Sequence, residues 1–207
     1  MPSPTTRFAA ALIALCAALG VAAGFWAVQG RTGSAQAAIW FMAAYFTNLT
    51  GLLVTVVFAG IALGRARFAN PRLVAGTMLA VLLVGLVQRL LLHGLKMRQG
   101  GDLVADILLH QVVPVLVPLF WLVLVPKGRL RWRDPMLWAC YPLAYLALAL
   151  VRGGIEGRYP YPFLDVGRIG GMMVLAYAAG IAAAFLLVGG GIVALDRALG
   201  SRSGKTP

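Results

Sequence analysis

The stretch "DILLHQVVPVLVPLFWLV", residues 106–123, decides the class of fold. All of its residues are apolar or proline except Asp106, His110 and Gln111. The apolar run around it extends over residues 103–125 and is long enough for a helix to cross a bilayer core about 30 Å thick. Ionisable residues are rare and costly inside such a segment and mark functional sites there. The stretch therefore predicts a membrane span that contains part of a functional site.

The whole chain has the composition of a membrane protein. Of its 207 residues, 61% are hydrophobic and only 12% are charged, whereas about 25% are charged in soluble domains. The apolar runs that can each form a crossing helix are residues 8–29, 39–63, 73–96, 103–125, 136–152 and 169–195. We predict an all-α polytopic protein with six transmembrane helices in a single domain, residues 1–207, of which residues 196–207 are a flexible cytoplasmic tail.

The distribution of Lys and Arg predicts the orientation. With both termini cytoplasmic, 11 of the 18 basic residues lie on the inner side, as the positive-inside rule favours. These are Arg7, Arg65, Arg67, Arg72, Lys127, Arg129, Arg131, Arg133, Arg197, Arg202 and Lys205. The net charge of +12 is spread over short loops at helix ends, where it faces lipid headgroups. No nucleic-acid partner is expected.

Polar side chains of three predicted helices fall in one layer near the outer side. The members are Thr47, Asn48, Gln88, Arg89, His93, Asp106 and His110. If each helix is straight, Thr47 lies roughly 12 Å and His110 roughly 10 Å below the outer helix ends. Asp106 and His110 are four residues apart and share a helix face, so the carboxylate can fix the imidazole tautomer. Pro114 bends the helix and opens room beside His110.

This layer suits nucleophilic chemistry. His110, oriented by Asp106, is a base for the Thr47 hydroxyl, and Arg89 can hold a carboxylate or a developing oxyanion. Other interpretations stay open: Thr47 can bond its own helix, and Thr50 is an equally visible nucleophile. Arg89 and Asp106 can form a structural ion pair.

Two non-hydrolytic functions compete with this one. The polar layer can hold a fatty acid without cutting it, as in a lipid-binding or carrier protein. The second alternative is a haem or metal protein with His93 and His110 as ligands. Cys16 and Cys140 form no paired motif and indicate neither a disulfide nor a thiol metal site. We expect no metal and no cofactor.

Four segments resemble a known family. They are "YFTNLTGLLV" (Tyr45 to Val54), "LLHQVVPVLVPLFW" (Leu108 to Trp121), "PKGRLRW" (Pro126 to Trp132) and "YPLAYLALALVRGGIEGRYPYPFLDV" (Tyr141 to Val166). Together they resemble the androgen-induced-protein family, whose bacterial members are called Pr-six-Pr membrane proteins. Where those bacterial relatives commonly have asparagine, this chain has Gly51.

The resemblance implies an activity. Animal members of that family are intramembrane threonine hydrolases that split esters of fatty acids with hydroxy fatty acids. Their threonine and histidine match Thr47 and His110, which are the predicted catalytic residues together with Asp106.

The predicted substrate-binding residues are Tyr45, Asn48, Gln88, Arg89 and His93. The implied substrate is a lipid ester taken from the bilayer, and the implied location is a bacterial inner membrane. The residues of the outer loop 153–168 themselves indicate either a cap over the site or an aromatic anchor at the membrane interface.

Overall fold

The computed structural model of the chain describes residues 2–92 and 99–203, and the regular structure in these ranges is entirely helical. Its α-helices are α1 (Pro4–Thr32), α2 (Ala35–Ala43), α3 (Phe46–Ala62), α4 (Pro71–Leu91), α5 (Gly100–Ile107), α6 (Val113–Leu124), α7 (Asp134–Glu156), α8 (Val166–Ile169) and α9 (Gly171–Ser203). Short 3-10 turns cover Ala66–Ala69 and Pro162–Leu164, and a π-helical turn covers Leu108–Val112. The predicted all-α class is confirmed.

The membrane class is confirmed as well. Five helical segments in the described ranges are long and apolar enough to cross a bilayer: Pro4–Thr32, Pro71–Leu91, Gly100–Leu124, Asp134–Glu156 and Gly171–Ser201. A sixth candidate is the pair α2 and α3, which passes the same test only when its two bent halves are taken together. The chain is thus an integral, multi-pass membrane protein.

The helices form two compact units that divide between Arg129 and Leu130. In the first unit, α1 runs antiparallel to α3. The Arg7 side chain near the start of α1 accordingly donates a 2.9 Å hydrogen bond to the carbonyl of Ala62 at the end of α3. Phe58 of α3 and Phe120 of α6 meet edge to face with ring centroids 5.0 Å apart. Both rings are at most 5% exposed and form part of the unit's core.

Close approach of α1, α3 and the π turn Leu108–Val112 depends on missing side chains. A Cβ atom on Gly51 would lie 2.8 Å from Cγ2 of Val21 and 3.2 Å from Cδ2 of Leu109. A Cβ atom on Gly20 would lie 2.8 Å from Cγ of Leu109. Membrane helices associate through such small residues because lipid offers no hydrophobic drive between them. Gly51 is therefore a packing residue.

Enlarging Gly51 is expected to destabilise the first unit. Gly51→Leu should lower the free energy of unfolding in detergent by about 1–3 kcal/mol, because the added atoms overlap Val21 and Leu109. Gly30→Leu is the matched control, since a Cβ on Gly30 of α1 meets no heavy atom within 4 Å. Thermal unfolding followed by circular dichroism measures both variants. Equal melting temperatures for the two would contradict this packing role.

The second unit contains α7, α8 and α9. Asp196 of α9 is fully buried and accepts a 2.9 Å hydrogen bond from the amide of Leu130. Asp134 is also buried and accepts a 2.8 Å bond from the amide of Arg131. The helix that was expected to end at residue 195 continues to Ser203. Apolarity alone stops before Asp196, whose side chain is instead accommodated by burial and by the bond from the Leu130 amide.

Aromatic ring contacts hold the loop between α7 and α8. Tyr161 and Phe163 stack with centroids 5.2 Å apart and an interplanar angle of 4°. Tyr161 also meets Tyr145 of α7 at 6.5 Å, and Phe163 meets Tyr177 of α9 at 6.1 Å. The rings of the predicted cap thus tie together the helices of the second unit.

Candidate active site

The segment before Thr47 is not one straight helix. The axes of α2 and α3 differ by 96°, and Tyr45 between them has extended backbone angles, φ −105° and ψ 126°. The predicted continuous span over residues 39–63 is therefore wrong at this point. Thr47 is the second residue of α3, so its depth cannot be counted along a straight helix from residue 39.

Asn48 satisfies the backbone at the break. Its side-chain nitrogen donates a 3.0 Å hydrogen bond to the carbonyl of Met42 at the end of α2. The amides of Ala44 and Tyr45 bond three residues back, to Phe41 and Met42, which closes α2 with a tight turn. Irregular backbone at membrane depth persists only where such partners exist. Asn48, predicted to bind substrate, thus has its amide nitrogen engaged in holding the break.

His110 lies in the π turn Leu108–Val112. Pro114 has no amide hydrogen, and its ring crowds the carbonyl of the residue four positions earlier, which is His110. The helix widens in response, and the amide of Val113 bonds to the carbonyl of Leu108, five residues back. Single π turns of this kind occur often at functional sites. The bend predicted at Pro114 takes the form of this π turn.

Three predicted catalytic side chains meet at this turn. The hydroxyl oxygen of Thr47 lies 3.3 Å from Nε2 of His110. On the other side of the ring, Nδ1 lies 2.8 Å from Oδ1 of Asp106, although the contact is not aligned as a hydrogen bond. The side chains of His110 and Asp106 are 13% and 17% exposed. The structure thus brings Thr47, His110 and Asp106 into one chain of contacts.

This order of contacts has a definite chemical meaning. A carboxylate beside Nδ1 favours the tautomer with its proton there, which leaves Nε2 free to accept the Thr47 proton. Catalytic contacts are often loose before substrate binds, so 3.3 Å is within reach of proton transfer. Thr47 also lies in the first turn of α3, where the helix dipole and amide groups favour developing negative charge. The arrangement suits attack on a carbonyl carbon.

The other threonines of α3 are placed differently. Thr50 is 2% exposed and lies in the core. The Thr55 hydroxyl donates a 2.8 Å bond to the carbonyl of Gly51, one turn back on its own helix. The Thr47 hydroxyl is half-buried and lies 3.3 Å from Nε2 of His110. The geometry thus favours Thr47 over Thr50 as the candidate nucleophile.

Helix α4 lies beside the π turn. A Cβ atom on Gly85 would lie 3.4 Å from Cβ of Pro114 and 3.9 Å from the carbonyl oxygen of His110. Arg89 is four residues further along the same face, with an exposed side chain. It forms no ion pair within the described parts of the chain, so the alternative pair with Asp106 is not observed. The buried side-chain oxygen of Gln88 has no hydrogen-bond partner there.

The remaining predicted binding residues are placed as follows. Tyr45 is half-buried at the start of α3, and its ring lies 5.1 Å from that of Phe41. His93 falls outside the described residues, so its proposed pairing with His110 around a haem or metal has no observed geometry. Within residues 2–92 and 99–203, no three His, Cys, Asp or Glu side chains are grouped to hold a metal ion.

No protein-family model matches this chain, and neither a curated protein nor a solved structure shows significant similarity to it. The contacts around His110 are therefore the observation from which a function can be argued. Function resides in the geometry of such a site rather than in a helical fold.

Proposed function

We propose that the protein is an intramembrane lipid ester hydrolase with Thr47 as nucleophile, His110 as general base and Asp106 as the residue that orients His110. One observation carries the proposal: the Thr47 hydroxyl and the Asp106 carboxylate lie at opposite nitrogens of the same imidazole. This order of nucleophile, base and orienting acid recurs on unrelated folds that transfer acyl groups. Its setting among membrane helices makes a lipid the accessible ester.

The reaction proceeds in two halves. Nε2 of His110 takes the hydroxyl proton while the Thr47 oxygen forms a bond to the ester carbonyl carbon. The carbon–oxygen bond to the leaving alcohol then breaks, and His110 returns the proton to that oxygen. In the second half, His110 takes a proton from water, whose oxygen attacks the acyl-threonine, and protonation of Thr47 releases the fatty acid.

The favoured substrate is an ester of a fatty acid with a hydroxy fatty acid, as the family resemblance implies. Such a molecule carries a free carboxylate besides its ester. The exposed guanidinium of Arg89 follows Gly85 by one helical turn and supports this choice, because arginine binds carboxylates with paired hydrogen bonds. We also propose that the protein lies in a bacterial inner membrane with both termini on the cytoplasmic side.

A covalent probe tests the proposed nucleophile. We expect an alkyl fluorophosphonate to lose fluoride and form a phosphonate ester with the Thr47 oxygen in the detergent-purified protein, because His110 activates that hydroxyl. Mass spectrometry of the labelled peptide identifies the residue. Labelling at Thr50 would move the nucleophile by one turn. Absence of labelling, together with bound fatty acid in the purified protein, would indicate a lipid-binding protein instead.

A further inference from the structure

An apolar groove of about 390 Å³ lies in the first unit between α1, α2 and α3. Its walls include Val21 and Phe25 of α1, Met42 of α2, and Leu52 of α3. Ala22, Ile39 and Leu52 along it are exposed, so the groove is open on one side. Because α1 is a candidate membrane span, this side faces the environment of a bilayer rather than water.

The groove offers little to a polar ligand. Its polar side chains are Asn48 and Thr55. The side-chain nitrogen of Asn48 already donates to the carbonyl of Met42, and the Thr55 hydroxyl donates to the carbonyl of Gly51. A polar headgroup would therefore find few hydrogen-bond partners in the groove, whereas a hydrocarbon chain needs none. The chemistry of the groove selects an acyl chain.

The groove begins at the first turn of α3, the turn that also contains the proposed nucleophile Thr47. Asn48 and Leu49, which line it, directly follow Thr47 along α3. It extends along α3 to Thr55, seven residues further, which is about 10 Å of helix. The bend between α2 and α3 places Met42 and Ala43 over the same space. A chain lying in the groove would have its head near the first turn of α3.

We propose that this groove binds one hydrocarbon chain of the ester substrate and thereby selects its length, an inference that rests on the proposed hydrolase function. Lipid tails are as apolar as the groove walls, so transfer from the bilayer contributes little affinity. Discrimination comes from shape, because a chain that fits places its ester at Thr47 and a chain that does not fit holds the ester elsewhere.

Filling the groove tests this assignment. Ala22 lines the groove on α1, and Ala11 is an exposed alanine of the same helix outside it. Ala22→Trp should lower the ratio of kcat/KM for p-nitrophenyl palmitate to that for p-nitrophenyl butyrate by about tenfold or more, because hydrophobic pockets discriminate over this range. Ala11→Trp should leave the ratio unchanged. Size-exclusion chromatography confirms that both variants are folded.

A second measurement uses the unsubstituted protein. A palmitic acid analogue with a diazirine near the middle of its chain should cross-link to residues of α1 or α3 that line the groove, identified by mass spectrometry. Cross-links to the groove without ester hydrolysis by the parent protein would contradict the hydrolase function. The assignment of the groove as an acyl-chain site would stand in that case. Hydrolysis by the parent with an unchanged chain-length ratio in Ala22→Trp, and cross-links elsewhere, would overturn the groove assignment alone.

Discussion

Thr47→Ala is expected to lower kcat for lipid ester hydrolysis by about 10³-fold or more, since removal of a nucleophile leaves only the activity that binding and charge stabilisation supply. The hydroxyl removed is the one 3.3 Å from Nε2 of His110. The rate is measured in detergent micelles with an ester of palmitic acid and a hydroxy fatty acid, from the fatty acid released. Fluorophosphonate labelling of the same variant should disappear in parallel.

Two further threonine variants make this result specific. Thr77→Ala removes a buried hydroxyl that donates to the carbonyl of Leu73 on its own helix α4, so it controls for the loss of a membrane threonine. Thr50→Ala tests the neighbouring candidate on α3. Both should keep kcat within about tenfold of the parent, because both leave the contact between the Thr47 hydroxyl and Nε2 of His110 in place. Hydrolysis by Thr47→Ala at the parental rate would end the threonine mechanism.

Most of the helical fold can be predicted from the sequence because lipid imposes long apolar runs on each crossing segment. Helix ends follow from local chemistry in favourable cases. Helix α4 begins at Pro71, and Asn70 before it is the N-cap. The Asn70 side chain accepts a 2.9 Å hydrogen bond from the amide of Arg72. The predicted run started two residues later, at residue 73. The local cap explains this start, which the apolar run alone missed by two residues.

The break between α2 and α3 could not be predicted in the same way. Neither Ala44 nor Tyr45 is a proline or a glycine, the residues that usually mark such a bend. The bend is held by Asn48, which reaches back six residues to the carbonyl of Met42. From sequence alone, an asparagine at that position is equally compatible with a contact between helices. The distinction depends on which acceptor its amide meets in three dimensions.

The proximity of Thr47 and His110 was predicted by depth, even though one depth was counted along a helix that bends, and the family resemblance points to the same two residues. The relation of His110 to Asp106 and Pro114 is local to one helix, so its sequence spacing sets the contact and the widened turn. The contact with Thr47 is not local. It depends on Gly51 and Gly20, whose missing side chains let α3 and α1 approach Leu109 beside His110. Close packing of this kind is not encoded in apolarity.

Asp106→Asn is the second large effect that we expect. An amide cannot favour the proton on Nδ1 of His110 as a carboxylate does, so kcat should fall on the order of 10²-fold, less than for an aligned buried acid. The smaller loss follows from the observed contact, which is 2.8 Å long but poorly aligned, with the Asp106 side chain 17% exposed. Because Asp106 acts through His110, KM should change little.

Asp102→Asn provides the matched control on the same helix. Asp102 pairs with Arg31, and both side chains are at least 36% exposed, so this surface ion pair contributes about 0–1 kcal/mol to stability. We expect Asp102→Asn to retain parental kcat, whereas Asp106→Asn loses both turnover and the rate of fluorophosphonate labelling at Thr47. A purely structural role for Asp106 would instead lower the melting temperature and raise KM without slowing labelling of the folded fraction. The labelling rate therefore separates an orienting carboxylate from one that merely holds α5 in place.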